Sequence, residues 1–119
     1  MNFKEEADIL AQTYYHTMTV ERPVEILDEL GFDSFETKEI YKDMACAVSF
    51  AQGSNEDLST TTQAIKYIAT LFARPEIKIK AGDIITANVL GQVYKFRAGE
   101  GVIYQSHIEV PLIRKDELS

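Results

Sequence analysis

The last third of the chain consists of short segments in which hydrophobic and polar residues alternate, separated by glycines. These strand-like segments are 76–80, 84–89, 92–97 and 106–113. The turns between them contain Gly82 with Asp83, then Gly91, then Gly99 with Gly101. A period of two residues broken by glycine turns is typical of antiparallel β-strands. Because strands this short must curl or pack to bury an apolar face, the pattern predicts a small β-barrel.

The first third of the chain predicts a helix followed by a strand. The apolar residues at helical spacing are Phe3, Ala7, Leu10 and Tyr14. Since Asn2 is a suitable capping residue, we expect a helix from Asn2 to about Tyr14. The β-branched and aromatic residues of 13–20 then predict a strand that stops near Pro23, because proline disrupts strand pairing. Segment 25–31 ends in glycine and indicates a helical turn or a loop.

Two middle segments, 40–50 and 64–72, each fit either a strand or a helix. Apolar residues of 40–50 fall on alternate positions, but several are also four residues apart. Segment 64–72 is ambiguous in the same way through Ile65, Ile68 and Phe72. Between the two lies 51–62, a polar stretch rich in glycine, serine and threonine. That composition predicts a mobile loop.

The length of the chain bounds its architecture. With 119 residues, 45% of them hydrophobic, it can bury one substantial core but not two. We therefore expect a single domain over residues 1–119, with the helix in 1–15 and the barrel in 16–119. The predicted fold is mainly β: a small antiparallel β-barrel of about six strands, with a long polar loop and a short N-terminal helix.

Charge distinguishes the two halves of the chain. The formal net charge is -7, but residues 1–57 contain 13 acidic and 4 basic residues, whereas 58–119 contain 6 and 8. The charge disfavours a generic role in coating DNA, because that role needs clustered lysine and arginine. An acidic half suits a solvated surface, or a molecule that docks in one orientation. No apolar run approaches the ~20 residues of a membrane span, so we expect no membrane contact.

Enzyme motifs are missing from the sequence, which has no phosphate-binding Gly-x-x-x-x-Gly-Lys loop and no His-Glu-x-x-His helix. We predict that the protein is not an enzyme and holds no cofactor or metal. Cys46 could act as a nucleophile with His16 or His107, but a lone cysteine in an alternating apolar segment usually packs as a small hydrophobic residue. His107 and Glu109 share a strand face, which predicts a satisfied polar pair.

Aromatic residues in the last third could form a stacking platform for single-stranded nucleic acid. These aromatics are Tyr94, Phe96 and Tyr104. The basic residues beside them, Lys95 and Arg97, point to the opposite face from Tyr94 and Phe96, because successive strand residues alternate. We therefore predict core and cross-strand packing for the aromatics.

Three segments of the sequence carry a family resemblance. They are 79–85 (Ile-Lys-Ala-Gly-Asp-Ile-Ile), 91–96 (Gly-Gln-Val-Tyr-Lys-Phe) and 106–110 (Ser-His-Ile-Glu-Val). The pattern resembles the head-completion proteins, also called stopper or head–tail joining proteins, of tailed bacteriophages and prophage-like elements. The turn and strand residues that mark it are Gly82, Asp83, Gly91, Tyr94, His107 and Glu109. The resemblance covers about residues 40–119, so the predicted helix and the acidic stretch before Lys42 lie outside it.

The resemblance implies a barrel that forms a ring with other copies of itself beneath the portal and its adaptor. It implies contacts with tail-side proteins, proximity to packaged DNA, and a place in the virion neck after assembly in the host cytoplasm. It also resolves 63–72 as a strand, and it implies a channel loop that helps to retain DNA. The matching residues are Gln52, Gly53, Ser54, Asn55, Glu56, Asp57, Leu58, Ser59, Thr60, Thr61 and Thr62. Because this loop has two acidic and no basic residues, closing the channel by bulk and repulsion suits it better than gripping phosphates.

Two alternatives remain open from the residues alone. If 58–73 is one long helix cradled by strands, the chain is an α+β (hot-dog-like) enzyme or acyl-binding protein. If the barrel is right but the resemblance is not, the chain is a generic β-barrel protein-binding module. A high strand content would distinguish the barrel from the α+β alternative. The identity of the partner would distinguish a generic binding module from a phage neck protein.

Overall fold

The alternating segments form antiparallel strands that follow an N-terminal helix in the computed structural model. The structure describes residues 3–27, 33–50 and 68–114, and of 26–27 and 33–35 only the backbone. The elements in chain order are α1 (Phe3–Ala11), β1 (His16–Leu27), β2 (Asp33–Phe50), β3 (Ala69–Ala73), β4 (Ile84–Val89), β5 (Gln92–Ala98), β6 (Val102–Ile103) and β7 (Ile108–Arg114).

Six of these strands close into a barrel, which confirms the predicted fold class. The order around the barrel is β3-β2-β1-β4-β5-β7, and pairing of β3 with β7 closes it. The closing register runs from Ala69 opposite Leu112 to Ala73 opposite Ile108. The short strand β6 lies along the edge of β7 that β5 also uses: it pairs with Ile108 and Glu109, whereas β5 pairs with Leu112 to Arg114. Closure removes the open sheet edges that a meander of short strands would otherwise leave.

The barrel interior is filled by the alternate residues that point inward from each strand. The largest fully buried apolar side chains are Phe96, Met18, Leu71, Ile85, Leu112, Val20, Val110 and Cys46. They form one hydrophobic cluster together with smaller residues such as Ala87 and Ala98. The alternation of apolar and polar residues in the sequence thus places apolar side chains inside the barrel and polar side chains outside it.

Helix α1 is shorter than predicted, since it ends at Ala11 rather than near Tyr14. The amides of residues 12–14 each donate to a carbonyl three residues earlier, so the chain tightens into a turn there. An ion pair between Asp8 and Arg74, at 2.9 Å, ties the helix to the segment that follows β3.

Strand β1 does not stop near Pro23, and this prediction was wrong. It continues to Leu27, so residues 25–27 are strand rather than a helical turn or loop. Proline is tolerated at sheet edges, and β1 becomes an edge here because its pairing with β4 ends at Glu21. The remainder of segment 25–31 lies outside the described residues.

The two ambiguous segments are strands where the structure describes them. Residues 40–50 belong to β2, and residues 69–73 are β3, so the alternative of one long helix over 58–73 is wrong for its last five residues. Tertiary pairing decided both cases, since Ala47–Phe50 pairs with β3 and β3 pairs with β7. The predicted loop 51–62, with its candidate channel residues Gln52 to Thr62, lies outside the described residues.

In the last third, the turns at Gly82 and Gly91 form as predicted, but the chain does not reverse at Gly99 and Gly101. Gly82 and Gly91 adopt φ of 94° and 90°, a region that glycine enters without strain, and both lie in turns. Strands β5 and β6, on either side of Gly99 and Gly101, both pair antiparallel with β7, and the reversal comes at 104–107, where the Tyr104 amide donates to the His107 carbonyl at 2.8 Å.

Two strand boundaries also differ from the prediction. Segment 76–80 is not a strand: Glu76 lies in a turn closed by the Ile77 amide on the Arg74 carbonyl, and 77–80 pairs with no strand among the described residues. The final strand, expected over 106–113, begins at Ile108 and continues to Arg114.

Candidate interaction site

A two-stranded arm projects from the barrel. Strands β1 and β2 remain paired from Glu21 opposite Glu39 to Leu27 opposite Asp33. Over this length β1 has left β4 after Glu21, and β2 pairs with β3 only at Ala47–Phe50. We call residues 21–27 and 33–39 the arm. Six residue steps give it a length of roughly 20 Å, and neither of its long edges pairs with another strand of the described part of the chain.

One face of the arm is acidic. Directly opposed residues of an antiparallel pair share a face, so Glu21, Glu25 and Glu39 lie on the same one. Glu21 and Glu39 face each other directly, and the Thr37 hydroxyl donates a 3.1 Å hydrogen bond to Glu21. Within the described residues none of the three carboxylates has an ion-pair partner. Like charges directly opposite each other are destabilising, so this face favours a cationic neighbour.

The other face of the arm is anchored to the barrel by a buried ion pair. Arg22 donates from Nε and Nη2 to the two carboxylate oxygens of Asp83, each at 2.9 Å. Asp83 is 1% exposed, and its Oδ2 also accepts the Lys80 amide at 2.8 Å. The hydrogen bond with Asp83 raises the pKa of Arg22 above its ordinary value. This two-pronged geometry fixes the direction in which the arm leaves the barrel.

The same anchor holds the extended segment 77–80. The Lys78 amide donates to the Tyr41 hydroxyl at 3.0 Å, and the Lys78 carbonyl accepts from Arg22 Nη2 at 3.2 Å. Side chains of β1 and β2 therefore replace the neighbouring strand that this backbone would otherwise need, which explains why an alternating segment does not become a strand. Ile77 points inward and is buried, whereas the Lys78 and Lys80 side chains are exposed.

An apolar groove of about 540 Å³ lies between segment 77–81 and strand β6. The residues that line it are Ile77, Lys78, Ile79, Lys80, Ala81, Glu100, Gly101, Val102, Ile103, Ile108 and Val110. Val102 and Ile103 of β6 are 53% and 64% exposed. The groove thus combines an apolar lining with two lysines on one wall and one glutamate on the other, and the Lys78 ammonium also donates to the Pro75 carbonyl at 3.2 Å.

Strand β6 gives this groove an open sheet edge. Its two residues pair with Glu109 and Ile108 of β7, and β6 is the last strand in the sheet order. A Cβ at Gly101 would lie 2.9 Å from Val110 Cγ2 and 3.0 Å from the Glu109 carbonyl, so only glycine permits this close approach to β7. An extended peptide could add to such an edge by backbone hydrogen bonds.

His107 forms the predicted polar pair with Glu109, and the structure adds a partner. His107 Nε2 lies 2.8 Å from Glu109 Oε2, and His107 Nδ1 lies 2.9 Å from Ser106 Oγ. Tyr104 stacks on the imidazole at 4.9 Å, with its ring tilted by 13°. A carboxylate oxygen accepts, so the imidazole is the donor in the bond between His107 and Glu109. These contacts hold the bend between β6 and β7.

Cys46 behaves as the buried hydrophobic residue that its position predicts. It is fully buried in the barrel interior, and burial raises the pKa of its thiol to about 12. The thiolate that a nucleophile or a metal ligand needs is therefore disfavoured at neutral pH. His16 is engaged elsewhere, because its Nδ1 accepts the Val48 amide at 3.0 Å.

The aromatics of β5 pack as predicted. Phe96 is fully buried, and Tyr94 stacks on it with ring centroids 6.1 Å apart. Phe50 joins them across the barrel mouth, 5.1 Å from Tyr94. Tyr104, by contrast, is 46% exposed and contacts His107 rather than the core.

The residues that mark the family resemblance lie in three separate places. Gly82 and Asp83 are at the arm base, Gly91 and Tyr94 belong to the β4–β5 hairpin, and His107 with Glu109 opens β7. Four residues that build the base of the arm and the bend between β6 and β7 were not predicted from the sequence: Arg22, Tyr41, Lys78 and Ser106. The signal for Arg22 was its position directly before Pro23. A proline in a strand marks a sheet edge, and at an edge a charged side chain can point inward.

Metal-binding groups and membrane-spanning helices are both absent from the described part of the chain. Residues 3–27, 33–50 and 68–114 contain no group of three histidine, cysteine, aspartate or glutamate side chains that could hold a metal ion. No helix in these same ranges is long and apolar enough to cross a membrane.

Comparison with known proteins identifies no relative. No protein-family model, no curated protein and no solved structure matches this chain. The arm and the groove are therefore interpreted from their own geometry and charge.

Proposed function

We propose that this chain is a structural subunit of the neck of a tailed bacteriophage, where its copies form a ring that joins head to tail and helps to close the DNA channel. The observation that carries the proposal is the pair of unlike, uncovered surfaces on one small barrel, the acidic arm and the apolar groove. Two different surfaces that meet between copies form a head-to-tail contact, which generates a ring when the rotation closes.

The barrel itself supports the family resemblance. Segments 79–85, 91–96 and 106–110 contribute to a closed antiparallel barrel, the architecture that the resemblance implies. In the turn at Gly82 and Asp83, the buried Asp83 carboxylate binds Arg22 and so anchors the arm. A turn that serves only to reverse the chain would not need a buried acidic residue.

The charge of the chain supports a place beside DNA rather than a grip on it. With a net charge of -7, the subunit as a whole repels phosphates. The candidate channel loop continues this trend through Glu56 and Asp57. In the proposed neck, DNA is held back by bulk and repulsion, while the portal or adaptor side and the tail side bind protein.

The proposed role is that of a non-enzymatic component of the virion, assembled in the host cytoplasm. The raised pKa of the Cys46 thiol and the structural use of His107 and Glu109 agree with a protein that works by binding. No cofactor or metal enters the proposed role.

Deleting the gene from the genome that encodes it tests the proposal. After induction, electron microscopy should show heads without tails, and nuclease treatment should degrade DNA that leaks from them. Expression of the wild-type chain from a plasmid should restore tailed particles that protect their DNA. Tailed, DNA-retaining particles in the deletion strain would contradict the proposed function.

A further inference from the structure

We infer that the acidic face of the arm in one copy lies in the groove between Lys78, Lys80 and strand β6 of the next copy. This contact rests on the proposed function for its place in a neck ring and specifies how the ring is held together. Its occupant is a second copy of this chain.

Charge complementarity is the first argument. Glu21, Glu25 and Glu39 share one arm face, and within the described residues none has a cationic partner. Lys78 and Lys80 on the groove wall likewise have no carboxylate within 4.0 Å in the described part of the chain. The two segments of the arm contain five acidic and two basic residues, so the arm has a net negative charge. Pairing the two surfaces relieves the direct opposition of Glu21 and Glu39.

Shape is the second argument. The groove is bounded on one side by the open edge of β6 and on the other by segment 77–81. The arm is itself an extended ribbon whose β1 edge is free beyond Glu21. An added strand can bond to β6 and at the same time cover the exposed side chains of Val102 and Ile103. A helix would leave the β6 backbone unpaired.

Geometry excludes the arm of the same copy as the occupant. Arg22 reaches Asp83 beside segment 77–80, and successive strand residues point to opposite faces. Glu21 and Glu25 therefore point away from the wall to which Arg22 is bonded. The acidic face can reach such a groove only on another molecule.

Charge reversal on the full-length chain tests the contact. The groove variant is Lys78→Glu with Lys80→Glu, and the arm variant is Glu25→Lys with Glu39→Lys. All four side chains are exposed, and the Lys78 bonds to Tyr41 and Arg22 use its backbone, so the anchor stays intact. The matched control reverses two exposed cations outside the groove, Lys95→Glu with Arg97→Glu.

Sedimentation velocity over a concentration series, at low and high ionic strength, gives the self-association constant of each protein. We expect the wild type to self-associate more tightly at low salt. The groove and arm variants should each weaken association about tenfold or more, and the control by less than about twofold. Combining all four groove and arm reversals in one chain should restore association, because the charges again match.

Three results would overturn the contact: a wild type that stays monomeric throughout, groove and arm variants that associate like the control, or a fourfold variant no better than its parents. If a charge-reversal variant does not fold, Lys78→Gln with Lys80→Gln replaces it with the same expected direction. A wild type that forms rings regardless of these residues rejects this contact but leaves the proposed function standing. Tailed particles after gene deletion reject that function and leave the association data valid.

Discussion

Strands β1 and β2 belong to both the barrel and the arm, but the two regions differ in how many neighbours each strand has. Inside the barrel each of the six strands has a neighbour on both sides, and side chains such as Val20 and Cys46 are fully buried. In the arm, β1 and β2 have only each other, and most described side chains are exposed or half-exposed. An isolated two-stranded hairpin is marginally stable in water. The barrel therefore supplies stability, and the arm is suited to gaining stability from a partner.

The two regions meet at the ion pair of Arg22 with Asp83. Because Asp83 is buried in the barrel and Arg22 begins the arm, one contact transfers the rigidity of the core to the projecting ribbon. Changes in the barrel should therefore affect folding, changes at the junction should affect both regions, and changes in the arm should affect association with little effect on the stability of the monomer.

Truncating the barrel core should have the largest effect. Phe96→Ala removes a fully buried ring that packs on Phe50 and Tyr94, and it should reduce the free energy of unfolding by about 3–5 kcal/mol. Urea unfolding followed by circular dichroism measures this loss. The control is Val93→Ala on the same strand, where the side chain is 66% exposed and the loss should stay within about 0.5 kcal/mol. Equal losses at the two positions would show that β5 does not border a packed interior.

Breaking the junction should have the next largest effect. Asp83→Ala removes the acceptor of the Lys80 amide and the ionic partner of Arg22, which keeps only the Lys78 carbonyl among the acceptors described above. The cost should be about 2–3 kcal/mol, below the full value for a buried pair because Arg22 is 24% exposed. Hydrogen exchange should speed up in the arm more than in β3, β5 and β7. The control is Asp8→Ala, whose pair with Arg74 is about half exposed and should contribute less than about 1 kcal/mol. Uniform exchange changes would argue against an anchor that acts on the arm.

High pH should destabilise the barrel through Cys46. The folded state keeps this thiol protonated up to about pH 12, while the unfolded chain loses the proton from about pH 9. The unfolded state then binds fewer protons than the folded state, so stability falls as pH rises between these values, by about 1.4 kcal/mol at pH 10. Urea unfolding of the wild type and of Cys46→Ala, at pH 7 to 10, measures the difference in slope. Tyr14, whose pKa burial also raises, is present in both proteins and cancels. Parallel slopes would contradict the burial of the thiol.

Relieving repulsion on the arm should have the smallest effect on stability. Glu39→Lys places a cation opposite Glu21 and should stabilise the monomer by about 0.5 kcal/mol at low ionic strength, and less at high salt. Unfolding curves in the two salts measure the gain. Glu36→Lys is the matched control, because Glu36 is exposed on the same strand but faces Val24. An equal gain in both variants would point to net charge rather than to the opposed glutamates.

Local features of the barrel could be predicted from the sequence, because the residues that decide them are neighbours. The β4–β5 hairpin follows from alternation on either side of Gly91, and the turn needs the positive φ that glycine supplies. The burial of Cys46 follows from its place in an apolar alternating segment. The bond between His107 and Glu109 follows from a spacing of two on a strand.

The arm could not be predicted, because it depends on which strands have a third neighbour. Pro23 was interpreted as the end of a strand, but it lies where β1 loses β4 and continues with β2 alone. The sequence of residues 21–27 does not indicate where the pairing of β1 with β4 ends. The local pattern of a sheet edge and the pattern of a strand end are alike at a proline.

By itself the sequence determined that this protein is a small antiparallel β-barrel with an acidic first half, since residue alternation, glycine turns and charge are properties of neighbouring residues. Only the tertiary structure decided the candidate interaction site. The partners Arg22 and Asp83 are 61 positions apart, and the two walls of the groove come from residues about 20 positions apart. Barrel closure brings such residues together, because it fixes which strands neighbour one another and which edges stay open.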